Sequence, residues 1–160
     1  MRPVPDPSRF AFRPMTGPEA RTVADWRYPE PFATAEPARD LDVLGRLLEP
    51  DDPREDAFLA VDAAAEVSGF LVCRRDHSIL DVAFGLRPDL VGQGHGWSFL
   101  LAALLFAKRR YAPNVFRVTV AADNHPARSL LQDADFVPMD TVYRTIDSGE
   151  QVFLRLIRKV

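Results

Sequence analysis

Gly92, Gly94 and Gly96 alternate in the run Leu86-Arg87-Pro88-Asp89-Leu90-Val91-Gly92-Gln93-Gly94-His95-Gly96, and the apolar run Trp97-Ser98-Phe99-Leu100-Leu101 follows at once. Without a Cβ the backbone turns sharply there, and its N–H groups can come close to a ligand. A helix beginning at that point opens with unsatisfied N–H groups and the positive end of its dipole. The chemistry on offer is the capture of an anion, most often a phosphate. The G-x-G-x-G spacing is not the P-loop, since no Lys-Ser/Thr follows the last glycine. Nor is it the G-x-G-x-x-G fingerprint, which also wants an acidic residue about 20 positions on. A glycine-rich turn with no ligand is the competing reading.

A second candidate for chemistry lies just upstream. Asp81 sits inside the apolar run Ile79 to Leu86, where strand periodicity puts Ile79, Asp81, Ala83 and Gly85 on one face. A carboxylate in such a place must find a partner or change its pKa. It is either a general base or a structural acid bonded to a nearby arginine or to backbone. The three histidines rank lower: His95 lies in the glycine loop, His125 precedes Pro126 at a helix start, and His77 is in a turn. None has metal-ligand spacing to Cys73 or to a carboxylate, so no metal is expected.

The elements that must position these groups alternate along the chain. Strands are predicted at Phe10 to Met15, Ala57 to Asp62, Val67 to Arg74, Ile79 to Leu86 and Val115 to Ala121. A closing hairpin, Val137 to Ile146 with Gln151 to Ile157, turns around Asp147-Ser148-Gly149. Helices are predicted at about Pro18 to Trp26, capped by Thr16 with Glu19 in the first turn, and at Leu41 to Leu48, capped by Asp40. Trp97 to Ala107 is apolar almost all round and reads as a buried helix lying across a sheet. Pro126 to Asp133 is a short helix capped by Asn124. The result is a mixed α/β sheet flanked by helices, in one domain spanning residues 1–160.

Asn124-His125-Pro126-Ala127-Arg128-Ser129-Leu130-Leu131, ending at Asp135-Phe136, follows the strand-like Phe116 to Val120. Together with the glycine loop it resembles the GNAT superfamily, the GCN5-related N-acetyltransferases, as found in bacteria. That family's loop reads roughly [Gln/Arg]-x-x-Gly-x-[Gly/Ala] after a hydrophobic-x-Pro, and its next signature is Asn-x-x-Ala-x-x-Leu-Tyr-x-x-x-Gly-Phe. Here Leu131 stands where Tyr is usual, and Asp135 where Gly is usual. The resemblance implies a twisted, mostly antiparallel sheet whose parallel fourth and fifth strands splay apart to admit an acyl-CoA. It implies acetyl-CoA as co-substrate and direct attack of a primary amine on the thioester.

The resemblance also distributes roles. The backbone of Val91, Gly92, Gln93, Gly94, His95, Gly96 and Trp97 would hold the pyrophosphate. Phe84 and Leu86 would pair with the pantetheine amides, and Asn124 would cap its helix and meet the same arm. The thioester carbonyl would be polarised at a bulge near Gly85, and Asp81 would be the base. Arg128 would meet the 3′-phosphate or remain a solvated charge. With Leu131 replacing the family's Tyr, either Tyr28 or Tyr143 supplies a phenol, or the thiolate leaves unprotonated. That departure keeps a second reading open, a non-catalytic acyl-CoA-binding or regulatory module.

Composition sets the outer bounds. With 20 basic and 23 acidic residues among 160, the net charge of −3 carries no nucleic-acid footprint. The longest apolar run is far short of the ~20 residues of a membrane span, and the chain opens on no signal-like segment. The single cysteine, Cys73, fits a reducing compartment, and its apolar strand makes it a buried thiol. A cytoplasmic protein, monomeric or homodimeric, is the expectation. Glu30, Glu36, Asp40, Asp42, Glu49, Asp51, Asp52, Glu55 and Asp56 outnumber the arginines of the same stretch. As an acidic rim they would favour a small cationic amine or a protein amino group as acceptor.

Overall fold

The computed structural model describes residues 4–39, 41–48, 55–146 and 149–160. Seven strands form one sheet: β1 (Ala11–Pro14), β2 (Glu55–Val61), β3 (Val67–Asp76), β4 (Ile79–Leu86), β5 (Val115–Ala121), β6 (Val137–Ile146) and β7 (Gly149–Lys159). Their spatial order is β1-β2-β3-β4-β5-β7-β6. Every neighbouring pair is antiparallel except β4 and β5, which run parallel. That parallel pairing joins only Ile79–Asp81 to Val115–Arg117. β4 continues to Leu86 and β5 to Ala121 without pairing each other again. The sheet therefore opens as a wedge beyond Asp81.

Four helices cover the sheet: α1 (Gly17–Ala24), α2 (Leu41–Leu48), α3 (Gly96–Tyr111) and α4 (His125–Asp133). β3 shows why two layers are needed. Ser68 to Cys73 are all buried, so both faces of this central strand are covered. Leu71 and Cys73 join the core under α3, with Leu100, Ala103, Leu104 and Ala107. The alternate residues Phe70 and Val72 join the other core with Val23 of α1 and Leu47 of α2. Leu100 is fully buried, so Leu100→Ala would remove about 2–5 kcal/mol through lost burial and a residual cavity.

Local signals set most of the boundaries. Thr16 and Glu19 form a reciprocal capping box at the start of α1. Arg13 adds an ion pair at 2.7 Å that helps hold the Glu19 carboxyl down at about 2. α3 runs past the expected Ala107 to Tyr111, because Lys108, Arg109 and Arg110 in its last turn face solvent and complement the helix dipole. The expected cap Asp40 and the hairpin turn at Asp147 and Ser148 lie outside the described residues, as does most of the acidic loop. Among the described residues no helix is long and apolar enough to cross a membrane.

Candidate active site

The wedge between β4 and β5 is the mouth of a cavity of about 470 Å³. Its first wall is the glycine loop. Arg87 sets the loop's start, donating from its backbone N–H to Ser68 and from its guanidinium to the Val67 carbonyl and the Asp89 carboxylate. The Gln93 side chain closes the loop on the Asp89 carbonyl at 2.8 Å. Gly92 and Gly94 take φ of +74° and +84°, backbone that a Cβ would strain. At the base of this wall α3 begins, and no side chain caps it. Its first N–H groups are therefore available to an anion arriving at Gly96, which lines the cavity.

Val91, Gly92, Gly94, Gly96, Trp97, Phe84, Leu86 and Asn124 all line this space. Gln93 and His95 do not; the His95 ring takes a hydrogen bond from Arg9 at 2.9 Å, so only its backbone could serve a ligand. Asn124 caps α4, accepting from the Ala127 N–H, and is buried at the cavity edge. Arg128 is half-buried, and its guanidinium donates to the Ala122 carbonyl at 2.7 Å.

The second wall comes from the segment between α1 and α2, whose stretch Ala24 to Phe32 resembles an N-terminal part of some bacterial GNAT proteins and is expected to border a pocket against the fourth strand. Tyr28, Phe32, Ala35, Glu36 and Pro37 line the cavity, with Val43 of α2 and Phe70 of β3. The Tyr28 hydroxyl donates to the Leu86 carbonyl at 2.7 Å, and its backbone N–H donates to Glu36 Oε1 at 2.9 Å. Burial, with the Glu36 charge adding to it, pushes the Tyr28 phenol above its ordinary range. The two walls touch: a Cβ on Gly92 would come within 2.9 Å of the Phe32 ring. One sequence signal was present, a lone acidic residue in the apolar, proline-bounded stretch Pro31-Phe32-Ala33-Thr34-Ala35-Glu36-Pro37.

Gly85 is needed for space rather than for a bulge. β3 and β4 keep continuous register from Asp76↔Ile79 to Gly69↔Leu86, so the expected bulge is absent. A Cβ at Gly85 would lie 2.6 Å from the Phe70 ring and 3.0 Å from the Tyr28 hydroxyl. The glycine lets both aromatic side chains pack against β4.

Asp81 does not line the large cavity. The parallel register sets it beside Arg117, whose Nε and Nη2 donate to its two oxygens at 2.6 and 2.7 Å. Both side chains are largely buried, 12% and 15% exposed. They border a side pocket of about 100 Å³ together with Asp42, Arg46, Arg74, Arg144 and Arg155, and this pocket shares Val43, Ala83 and Thr119 with the larger cavity. Of the two readings of Asp81, the ion-paired one describes its geometry. Leu131 is fully buried in the core and does not reach the cavity. Tyr143 is 65% exposed on β6, which leaves Tyr28 as the phenol at the cavity.

Five of the nine acids expected to form a rim, Glu30, Glu36, Asp42, Glu55 and Asp56, lie among the described residues. Asp42 is engaged by Arg46, Arg74 and Arg144, and Asp56 accepts from the Tyr111 hydroxyl at the far end of α3. Asp40, Glu49, Asp51 and Asp52 lie outside the described residues, and Glu30 is exposed. Among the described residues, Glu36 is the one charged side chain that lines the large cavity. Also among them, no group of three or more His, Cys, Asp and Glu is arranged to hold a metal ion.

A splayed parallel pair, a glycine loop and an uncapped helix start together define the N-acetyltransferase fold of the GNAT type. Solved spermidine N-acetyltransferases from Vibrio cholerae share it. The enzyme in complex with CoA and spermine superposes with a TM-score of 0.73 at 18% identity, covering 95% of this chain and 96% of that one. A chimera of the Vibrio cholerae enzyme with hSSAT gives 0.71 at 20% identity, over 94% and 96% of the two chains. A second such chimera gives 0.74 at 18%, over 94% and 95%. No protein-family model matches the chain, and no curated protein matches its sequence.

Proposed function

We propose that this single domain transfers an acetyl group from acetyl-CoA to a primary amine. The observation that carries the reading is the wedge: β4 and β5 part after Asp81 and Arg117, and the glycine loop and the open start of α3 face the gap. A pyrophosphate fits the backbone N–H groups of residues 91–97, where glycine φ values and the uncapped helix make an anion cradle. The edge of β4 at Phe84 and Leu86, unpaired with β5 although the Leu86 carbonyl accepts from Tyr28, takes the pantetheine arm as an added strand would, with Asn124 on the cavity wall. The solved neighbour that holds CoA and spermine supports both halves of the reaction.

In the transfer, the amine nitrogen bonds to the acetyl carbonyl carbon and the C–S bond breaks. The ammonium must first give one proton to water to become the attacking amine; after attack CoA leaves as thiolate, and the nitrogen's surplus proton also passes to water. The thiolate needs no acid, because a thiol's ordinary pKa of ~8.5 already makes it a fair leaving group. Burial holds the Tyr28 phenol above its ordinary range, and its hydrogen is donated to the Leu86 carbonyl. Its role is to fasten the acceptor loop to β4. Asp81, held by both oxygens, keeps β4 and β5 joined at the apex of the wedge.

Titration with CoA tests the cofactor half. The wild type should bind, and Gly94→Val should not, since a branched Cβ at φ +84° both strains the loop and occupies the approach of the pyrophosphate. Equal binding by both proteins would remove the loop from the reading.

A further inference from the structure

The cavity's acceptor side has one charge in an apolar surround. Glu36 is 9% exposed and lines the cavity, whose lining also includes Phe32, Pro37, Val43, Phe70 and Ala83. Its Oε1 is fixed by the Tyr28 N–H at 2.9 Å, and Oε2 meets Arg39 Nε at 3.4 Å, a long contact to a side chain that is half exposed. Through Tyr28, whose hydroxyl reaches Leu86, the carboxylate is tied to the strand edge where the thioester is expected. The carboxylate is oriented by backbone and built into the wall that faces β4.

We infer that Glu36 receives the ammonium group of the acceptor, and that the acceptor is a primary amine on an apolar body, an arylalkylamine or alkylamine. The inference rests on the acetyl-transfer reading and adds the acceptor class. A desolvated carboxylate attracts an ammonium strongly, and the contact is charge-assisted. Beyond it the wall offers aromatic and aliphatic carbon, which an apolar tail covers favourably. An amino acid would bring its own carboxylate against Glu36. A polyamine would bring a second ammonium past Phe70 and Val43 toward the side pocket, where Asp42 and Asp81 are already ion-paired and arginines outnumber them. The acceptor predicted here therefore differs in class from the spermine held by the solved neighbour.

The test is calorimetric binding of 2-phenylethylamine, 2-phenylethanol and spermidine to wild type and Glu36→Gln, each with and without saturating CoA. Glutamine keeps an oxygen for the Tyr28 N–H, so the loop is retained while the charge is lost. The wild type should bind 2-phenylethylamine more tightly than the alcohol or spermidine. Glu36→Gln should weaken the amine by about ten- to a hundredfold and leave the alcohol unchanged, the range expected for one hydrogen-bonded charged contact. Equal weakening of amine and alcohol would make Glu36 merely structural, and no change in either would remove it. Tighter binding of spermidine by the wild type would overturn the acceptor class even if the variant did not fold. Thiol release from acetyl-CoA separates the two proposals. Turnover that is fastest with spermidine keeps acetyl transfer and overturns this inference; amine binding through Glu36 without any turnover does the reverse.

Discussion

Asp81→Asn should weaken the fold and spare the chemistry. The wild-type carboxylate takes two hydrogen bonds from Arg117, at 2.6 and 2.7 Å, with both side chains mostly out of water. Removing one partner of a buried pair leaves the other charge uncompensated and costs about 3–5 kcal/mol. Arg117 keeps a second carboxylate, Asp76, at 3.1 Å and more exposed, so the lower end applies, about 3 kcal/mol. In a domain of this size 1 kcal/mol shifts Tm by about 2–4 °C, so Asp81→Asn should melt roughly 6–12 °C below wild type. Thermal denaturation followed by circular dichroism measures the loss. Initial rates of thiol release, taken well below both midpoints, should stay close to wild type. Asp81→Asn combined with Arg117→Met should recover part of the stability, because no buried charge is then left over. An unchanged Tm with a collapsed kcat would refute this reasoning and make Asp81 the base.

Three further outcomes follow from the geometry. Gly94→Ala meets nothing within 4 Å and should cost only the left-handed backbone penalty of about 1–2 kcal/mol, whereas Gly92→Ala also strikes Phe32 and should cost more. Denaturant unfolding would show the difference, and Phe32→Ala in the Gly92→Ala background should narrow it; equal losses would mean that the two walls do not touch. Asp135 has φ +68° at the position where the family's signature has glycine, so Asp135→Gly should raise stability by up to about 1 kcal/mol in the same assay. Burial raises the Cys73 thiol from 9.0 to about 12. Native protein should therefore resist iodoacetamide near pH 8 and react only on unfolding, and stability should fall as pH rises from about 9, where the unfolded thiol ionises, toward 12.

Local pattern was legible and distant pairing was not. Period-2 alternation and turn residues located all seven strands, and Thr16-x-x-Glu19 marked the start of α1, because these signals act within a few residues. The glycine loop was legible for the same reason. The partner of Asp81 was not, since Arg117 lies 36 positions away and arrives only through the parallel register of β4 and β5. Gly85 was read as a conformational need, but the need is spatial and is created by Phe70 and Tyr28 from two other segments. Glu36 looked like one of nine surface acids. Its distinction comes from the Tyr28 N–H that holds it and from its place in the lining of a cavity it shares with Phe70 and Val43, which no local window contains. Asp135 shows the converse: a departure from the family's glycine that left the backbone conformation in place.

Amine-dependent release of CoA thiol from acetyl-CoA, with the acetylated amine identified by mass, tests the central claim most directly. The account predicts thiol and acetylamide in equal amounts with a primary amine, and neither without it. It also predicts that Gly94→Val, which destroys the anion cradle, abolishes both. Tight binding of acetyl-CoA with no thiol released by any amine of the panel would contradict it, and would leave a protein that holds the acyl-CoA without transferring from it.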